Sequence, residues 1–400
     1  MNALLPLRCT SRVAPSIPLA VLYQKLDPPL INGVRKPKKP GGYQDSGSDI
    51  AWVLKHQCDI QVATPSANPD PQSGEGFCFP DDESGIEAAL DNGATHLWAN
   101  TILFAQHPLQ TSPLFPLKAS ELRIIGQPPC FVDLYDDKAF VNELLRAHGG
   151  FTLPKFTTVT GLRSLQTSIE TAQLEFPLIA KPVRGRGSHG VKLCHAAEEL
   201  NAHARYLLKE SGMIIVEQYL QGTEATVTVM PPSPSRPDYW AMPIVARFNH
   251  ADGVAPYNGV VAVTKNSRVV ERSEHDSDPA YEKLAQECSA AAKLLQCKAP
   301  IRIDARRLDN EPGREFALFD VNMKPLTDRW NMTGPGRPGR EDQASLTGLA
   351  ASGLGWDYPS LLKSILQSAS TLQDLRTATL PVNRHYDSRD MSFERVLFVV

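Results

Sequence analysis

The stretch Ile301-Arg302-Ile303-Asp304-Ala305-Arg306-Arg307-Leu308-Asp309-Asn310-Glu311-Pro312-Gly313-Arg314-Glu315-Phe316-Ala317-Leu318-Phe319-Asp320-Val321-Asn322 reads as two strands around a turn, because Asp309 to Gly313 is rich in turn residues. Alternate side chains of a strand share a face, so Arg302 and Asp304 point one way while Ile301 and Ile303 point into the core. Asp320 and Asn322 share a face in the same manner, opposite Phe319 and Val321. Pairing centred on Pro312 sets Asp304 across from Asp320 and Arg302 across from Asn322. That register gathers two carboxylates and one amide on a single patch. A strict two-residue Pro312-Gly313 turn shifts the pairing by one and breaks the patch. Hard oxygen donors from facing strands suit Mg²⁺, which takes one or two carboxylates and completes its shell with water and nucleotide phosphates. The alternative is that Asp304 and Asp320 merely pair with Arg302, Arg306 or Arg307 on a solvated face. The apolar flanks argue for a protected site, where an acid without a partner or metal is costly.

Upstream lies Lys181-Pro-Val-Arg-Gly-Arg-Gly-Ser-His-Gly190, between one strand and the next. Glycines permit positive φ, and successive amides in such a turn make an anion nest, to which Ser188 adds a hydroxyl donor. Lys181, ending the incoming strand, supplies a point charge for the same phosphates. A plain turn is the competing reading. No Gly-Lys-Ser/Thr follows and no helix begins there, which excludes a Walker loop and a dinucleotide fingerprint. A flap folded over a triphosphate fits better.

The rest of the chain is organised around these segments. Leu19 to Tyr23, Ile60 to Ala63, Thr95 to Ala99 and Leu122 to Ile125 read as strands, alternating with helices after Ser48 and over Glu83 to Leu90. Such alternation predicts a parallel α/β domain. Proline-rich insertions at Asp27 to Gly42 and Thr64 to Pro80 are long for plain connections, so they are functional loops or surface excursions. From Asp136 the rhythm changes. A helix led by Asp136 and Asp137 runs to His148 and stops at Gly149-Gly150. Strands are expected at Phe156 to Val159, Leu178 to Lys181, Val191 to Leu193 and Met213 to Glu217, with helices over Leu162 to Ala172 and up to about Leu208. Thr223 to Met230 alternates like a half-buried antiparallel strand. Extended segments follow at Trp240 to Phe248 and Gly259 to Lys265, then a helix from Pro279 to Leu295.

Composition bounds the function classes. Four hundred residues bury a sizeable core without staples, and a formal charge of -3 without long runs of one sign offers no footprint for nucleic acid. Hydrophobic content of 42% is ordinary, while 33 prolines are a surplus whose placement matters at the site. Seven scattered cysteines form no Cys-x-x-Cys pair, as expected for free thiols in a reducing compartment. No apolar stretch approaches the ~20 residues that span a bilayer. The acid-free segment up to Leu26 has the composition of a transit peptide, but Ile17 to Tyr23 reads as a buried strand, so the expectation is a cytoplasmic protein without a membrane partner.

With these motifs in order, the chain resembles the ATP-grasp superfamily, and most closely its D-alanine:D-alanine ligase branch. The resemblance covers Asp137 to about Arg340: Asp137-Lys138 opening a helix that ends in Gly149-Gly-Phe-Thr-Leu-Pro154, Pro177-Leu-Ile-Ala-Lys-Pro182 with its glycine loop, Ile215-Val-Glu-Gln-Tyr-Leu220 through Gly222-Thr-Glu224, and the Arg302/Asp304 and Asp320/Asn322 strands. It implies an α/β (α+β) ATP-grasp fold behind an N-terminal, Rossmann-like preATP-grasp domain. The parts would be 1-135, an ATP-grasp domain of two lobes at 136-345, and a C-terminal helical extension with a terminal strand at 346-400. By resemblance, Lys138 and Lys181 bind ATP phosphates, and Gly185, Gly187, Ser188 and Gly190 form the flap over the triphosphate. Glu217, Gln218, Tyr219 and Leu220 form the hinge that reads adenine, and Glu224 takes the ribose. Asp304, Asp320 and Asn322 hold one or two Mg²⁺ ions, and Arg302 steadies a tetrahedral intermediate. The implied reaction is ligation of a small carboxylate and an amine through an acyl phosphate. The competing readings are a relative using a thiol acceptor or transferring phosphate, and an inactive ATP-binding interaction protein. A homodimer is compatible with any of these.

The chain also departs from the branch. Asp320-Val-Asn322 stands where the family usually has Glu-x-Asn, which shortens the reach toward a second metal. Asn331-Met-Thr-Gly-Pro-Gly-Arg-Pro-Gly-Arg340 replaces a short substrate loop, and its Arg337 and Arg340 are either a bidentate clamp for a substrate carboxylate or solvated surface arginines. Gly41 to Ser48 lacks the family's glutamate and serine pattern, so the resemblance does not carry D-alanine specificity. Lys36, Lys38 and Lys39 are candidates for an anionic substrate or a solvated basic loop, and His189 reads as a flap residue. Tyr257-Asn-Gly259 lies where such ligases carry a loop over the substrate, and the apolar end Glu394 to Val400 needs a sheet partner.

Overall fold

Leu19-Ala-Val-Leu-Tyr23 is apolar throughout, as a strand covered on both faces must be, and it becomes an inner strand of a five-stranded sheet. The computed structural model describes residues 18–31, 34–35, 38, 40–115, 118–185, 189–250, 263–311, 313–323 and 345–379. Across the first sheet the order is Ser370–Thr371, Arg123–Ile125, His96–Asn100, Leu19–Tyr23 and Phe79–Pro80, all parallel except Ser370–Thr371. The chain leaves Leu19–Tyr23 first to one side and then to the other. This places a topological switch point between Leu19–Tyr23 and His96–Asn100.

The strand expected over Ile60 to Ala63 is reduced to a single parallel bridge between Leu19 and Val62, with Ala63 N donating to Leu19 O at 2.8 Å. The proline-rich insertion that follows draws the chain away, and Phe79–Pro80 resumes the same edge opposite Leu22 and Tyr23. Helix Gln44–Gln57 buries Ile50, Ala51, Val53 and Leu54, while Glu83–Asp91 starts where Asp82 accepts from Gly85 N at 3.0 Å.

Two antiparallel sheets form the second half. The smaller has the order Phe156–Val159, Ile214–Gln218, Leu178–Pro182, Lys192–Cys194, and packs on helices Leu162–Thr171 and Ala197–Glu210. The larger runs Ser267–Val269, Val245–Arg247, Glu224–Met230, Ile301–Arg307, Phe316–Asn322, with Trp240–Ala241 also paired to Glu224–Met230. Helix Pro279–Leu294 covers one face, packing on Ala225, Val227, Val229, Ile301 and Ile303.

Several elements differ from the sequence expectation. Glu224–Met230 is buried at every residue, not half-buried, because helix Leu346–Ser352 covers its polar face: Thr228 Oγ1 meets Thr347 Oγ1 at 3.1 Å. Trp240 to Phe248 splits into Trp240–Ala241 and Val245–Arg247 around Pro243, which has no amide to donate. Val263–Lys265 is a 3₁₀ turn and the strand falls at Ser267–Val269; residues 259–262 lie outside the described residues. A separate helix, Pro129–Tyr135, precedes Lys138–His148. The described part of residues 346–400 is woven into the first half. Leu346, Ala350, Leu361, Leu362 and Ile365 share a core with Leu19, Val21, Ile50 and Leu54, and Ser370–Thr371 adds a strand to the first sheet. The terminal segment Glu394 to Val400 lies outside the described residues.

Gly42 closes the turn before helix Gln44–Gln57 with φ of +54°, and a Cβ there would collide with the carbonyl of Gln24. Gly42→Ala is therefore expected to destabilise the chain by roughly 1 kcal/mol or more, seen as a lower urea midpoint at unchanged slope.

Candidate active site

The hairpin at Ile301–Arg307 and Phe316–Asn322 reaches the register centred on Pro312 only beyond a bulge; next to the turn it pairs one residue off that register, in the sense opposite to a strict Pro312-Gly313 turn, which would set Arg307 across from Leu318. Next to the turn, Arg307 pairs with Phe316, Arg306 with Ala317 and Ala305 with Leu318. A bulge then leaves Phe319 unpaired, and beyond it Asp304 faces Asp320, Ile303 faces Val321 and Arg302 faces Asn322. Leu318 and Val321, three residues apart, therefore both pack on the core, and Asp320 and Asn322 turn to the opposite face.

Lys181 pairs with Ile215 across the smaller sheet, so Glu217, two residues farther on the same face, is its diagonal neighbour. Both side chains are buried, with Nζ 2.6 Å from Oε1. Burial pushes the Glu217 carboxyl up, against the pull of the Lys181 charge. Lys181 Nζ also donates to the carbonyl of Phe319 at 3.2 Å, bridging the two sheets at the bulge. From a third element, helix Lys138–His148, the Lys138 ammonium pairs with Asp320 Oδ1, and Lys138 N donates to Val183 O at 3.1 Å. Two lysines thus converge on the dipeptide Phe319-Asp320.

Asp304 accepts from Thr226 Oγ1 at 2.6 Å and from Asn322 Nδ2 at 3.1 Å. Burial pushes its carboxyl above the usual carboxylate range although Arg302 and Arg247 pull it down. A desolvated carboxylate facing a second one, with an amide beside them, is a donor set that suits a hard divalent cation. Among the described residues no group of three or more His, Cys, Asp or Glu side chains comes together, so the patch offers two acids and no third.

Gln218 N donates to Lys155 O at 2.8 Å, and Leu220 is buried. Arg306 stands 5.1 Å from the Tyr219 ring centroid and donates from Nε to Gly222 O at 2.9 Å, tying this connection to the larger sheet. Glu224 is flanked by two basic side chains, with Arg247 Nη1 3.1 Å from Oε1 and His250 Nε2 2.8 Å from Oε2. At the root of the glycine loop Arg184 Nη1 donates to Asp133 O at 2.9 Å, which fixes the chain just before Gly185. Gly190 has φ of +73°, and exposed His189 pairs with Glu210. Arg186, Gly187 and Ser188 lie outside the described residues, as do Arg337, Arg340, Tyr257 to Gly259, Lys36 and Lys39. Lys38 is exposed and spent on Asp27 and the carbonyl of Lys25.

Thr226, Arg247 and His250 were not singled out from sequence. Thr226 carried a signal, since it alternates with Glu224 on one face of a strand. Arg247 carried none, because only the pairing of Val245–Arg247 with Glu224–Met230 brings it opposite Glu224.

Residues 145–367 match the family model described as "D-ala D-ala ligase C-terminus". The chain is 26% identical over 233 residues to a D-alanine–D-alanine ligase of Bacillus anthracis, covering 58% of this chain and 66% of that relative, so it spans about two thirds of the length of the curated relative it matches. The solved D-alanine–D-alanine ligase from Bacillus anthracis complexed with ATP has a TM-score of 0.58 and 18% identity, over 90% of this chain and 99% of that one. The VanG D-Ala:D-Ser ligase from Enterococcus faecalis gives 0.55 and 13%, over 88% and 98%. These likenesses establish a shared fold.

The Glu224 carboxyl is held below the usual glutamate range: burial alone would raise it, and His250, Arg247 and Arg306 outweigh burial. A folded value below the unfolded one means stability that is present above the ordinary 4.5 and is lost as pH falls through the depressed value. Glu224→Gln is expected to cost on the order of 3 kcal/mol at neutral pH, since it leaves Arg247 buried without its carboxylate. It should also flatten the acid limb of the stability profile, as checked by unfolding midpoints taken from neutral to acid pH.

Proposed function

The chain belongs to the family of the D-ala D-ala ligase C-terminus, and from that membership we propose that it is an ATP-dependent ligase joining a carboxylic acid to an amine, with release of ADP and phosphate. The observation that carries this reading is the convergence of Lys138, Lys181 and Asp304 on Phe319-Asp320 from three separate elements, with Asn322 of the same strand bonded to Asp304. Phosphates compete with Asp320 and Glu217 for the two ammonium groups, so both lysines are already in place to receive them. The hinge from Glu217 to Leu220 takes the adenine through its backbone, and Glu224, oriented by Arg247 and His250, takes the ribose hydroxyls. Gly185, Gly187, Ser188 and Gly190 close over the triphosphate and exclude water, which would otherwise hydrolyse the activated acid.

In the first step a substrate carboxylate oxygen attacks the γ-phosphorus and ADP departs, leaving an acyl phosphate. In the second, the amine nitrogen attacks the acyl carbon, phosphate leaves, and an amide remains. Lys181 and Lys138 neutralise the charge that builds on the phosphates, and Arg302 stabilises the oxyanion of the tetrahedral intermediate. Asp304, Asp320 and Asn322 would hold one or two Mg²⁺ ions, which supply charge neutralisation between the phosphates. Arg337 and Arg340 clamp a substrate carboxylate. The six cysteines among the described residues are all free thiols, as a reducing, cytoplasmic setting would keep them.

Release of ADP that requires both an acid and an amine, with mass analysis of the product, tests this reading. Lys181→Ala and Asp304→Asn are each expected to lower kcat/KM by at least ~10²-fold. Full turnover in Lys181→Ala would remove the phosphate assignment. Tight ATP binding with no ADP release under any pool of acids and amines would favour a binding protein.

A further inference from the structure

Gln218 ends an inner strand of the smaller sheet, and by alternation its side chain faces away from Lys181 and Glu217, on the side of Val216 and helix Leu162–Thr171. Gln218 N donates to Lys155 O at 2.8 Å on one side, and Leu178 pairs with Gln218 on the other. The antiparallel run therefore sets Phe176-Pro177 beside Tyr219 and Leu220. Between these three segments lies a recess of about 270 Å³, whose lining includes Lys155, Glu175, Phe176, Gln218, Tyr219 and Gln221.

The walls of the recess are braced. Gln173, with φ of +51°, closes helix Leu162–Thr171, and Leu174 N donates to Ile169 O at 3.1 Å. Leu174 is buried in the core beneath, which lifts Glu175 and Phe176 to the rim. On the opposite wall Arg306 lies 5.1 Å from the Tyr219 ring centroid and donates from Nη2 to the Tyr219 hydroxyl at 3.3 Å.

Lys155 precedes the strand on one side of Gln218 and Glu175 the strand on the other, and those outer strands run roughly 10 Å apart. Neither side chain enters an ion pair among the described residues, and Phe176 keeps 39% of its surface exposed. One cation, one anion, aromatic walls and glutamine amides that both donate and accept complement a zwitterion with an apolar side chain. A phosphate would meet the charge of Glu175, and an amine without a carboxylate would meet that of Lys155. The volume lies just below the ~300 Å³ at which pockets for larger ligands begin, which suits one amino acid and not a nucleotide. We propose that this recess is an effector site for a free amino acid with an apolar side chain, its carboxylate on Lys155 and its ammonium on Glu175. Gln218 and Tyr219 belong both to the recess and to the hinge that takes adenine in the ligase reading, so occupancy alters ATP affinity. That consequence rests on the ligase reading, and the binding does not.

The test measures, by calorimetry, binding of leucine and phenylalanine, and of the non-hydrolysable analogue AMPPNP with and without them. The proteins are wild type, Lys155→Glu, Glu175→Lys and the double reversal; both residues are exposed, so the core is untouched. Wild type is expected to bind both amino acids, and to bind N-acetyl-leucine and leucinamide, which each lack one charge, at least about tenfold more weakly. Each single reversal should lose at least about tenfold in affinity, and the double reversal, which turns the zwitterion round, should regain it. Either amino acid at saturation should change the AMPPNP affinity of wild type by about fivefold or more and leave that of Glu175→Lys unchanged. Binding that survives the single reversals places the amino acid elsewhere and overturns the site. No binding to wild type, no recovery in the double reversal, or an AMPPNP affinity indifferent to a filled recess overturns it too, and the ligase reading stands in each case. Binding that follows the reversals and shifts AMPPNP affinity, with no ADP released from any pool of acids and amines, upholds the site and sinks the ligase reading.

Discussion

One extra residue in one strand governs the site. A regular Phe316–Asn322 strand would put Asp320 on the same face as Leu318, inside the core against helix Pro279–Leu294. The bulge at Phe319 reverses the alternation, so Asp320 and Asn322 emerge opposite Asp304 and Arg302 while Val321 regains the core. It also leaves the Phe319 carbonyl outside the pairing, where Lys181 takes it. Register, metal-type donors and the meeting of two sheets thus follow from a single local irregularity, of the sort that re-aims side chains beside active sites.

The charges around that point are arranged at some expense to stability. Lys181 with Glu217, and Glu224 with Arg247 and His250, are buried groups whose desolvation consumes much of their mutual attraction. Apolar residues of like volume would fold at least as well. What the ionic groups add is position. Lys138 is held against Asp320 and Lys181 against Glu217, and the Glu224 carboxylate is oriented through both of its oxygens.

Much of this was legible along the chain because it is local. Turn residues between Asp309 and Gly313, alternation in Ile301 to Asp304, Asp137 before a helix and glycines after Pro182 each announce an element or a motif within a few residues. The resemblance to the ligase branch rested on the order of those motifs, and the family match and the fold agree with it. Less legible were features created by long-range contact. Helix Leu346–Ser352 covers the polar face of Glu224–Met230, which no pattern inside that strand reveals. Arg247 reaches Glu224 through strand pairing alone.

The sequence by itself determined most element types, the parallel and antiparallel halves, and the identity of the acids and lysines, because these depend on side-chain chemistry and on periods of two or 3.6 residues. It left two registers open for the hairpin. Only the tertiary structure decided that the Pro312-centred register holds at Asp304 and Asp320 but not beside the turn, and that the C-terminal segment completes the first sheet. Those outcomes depend on which surfaces exclude water from one another, a property of the packed chain that no window of residues contains.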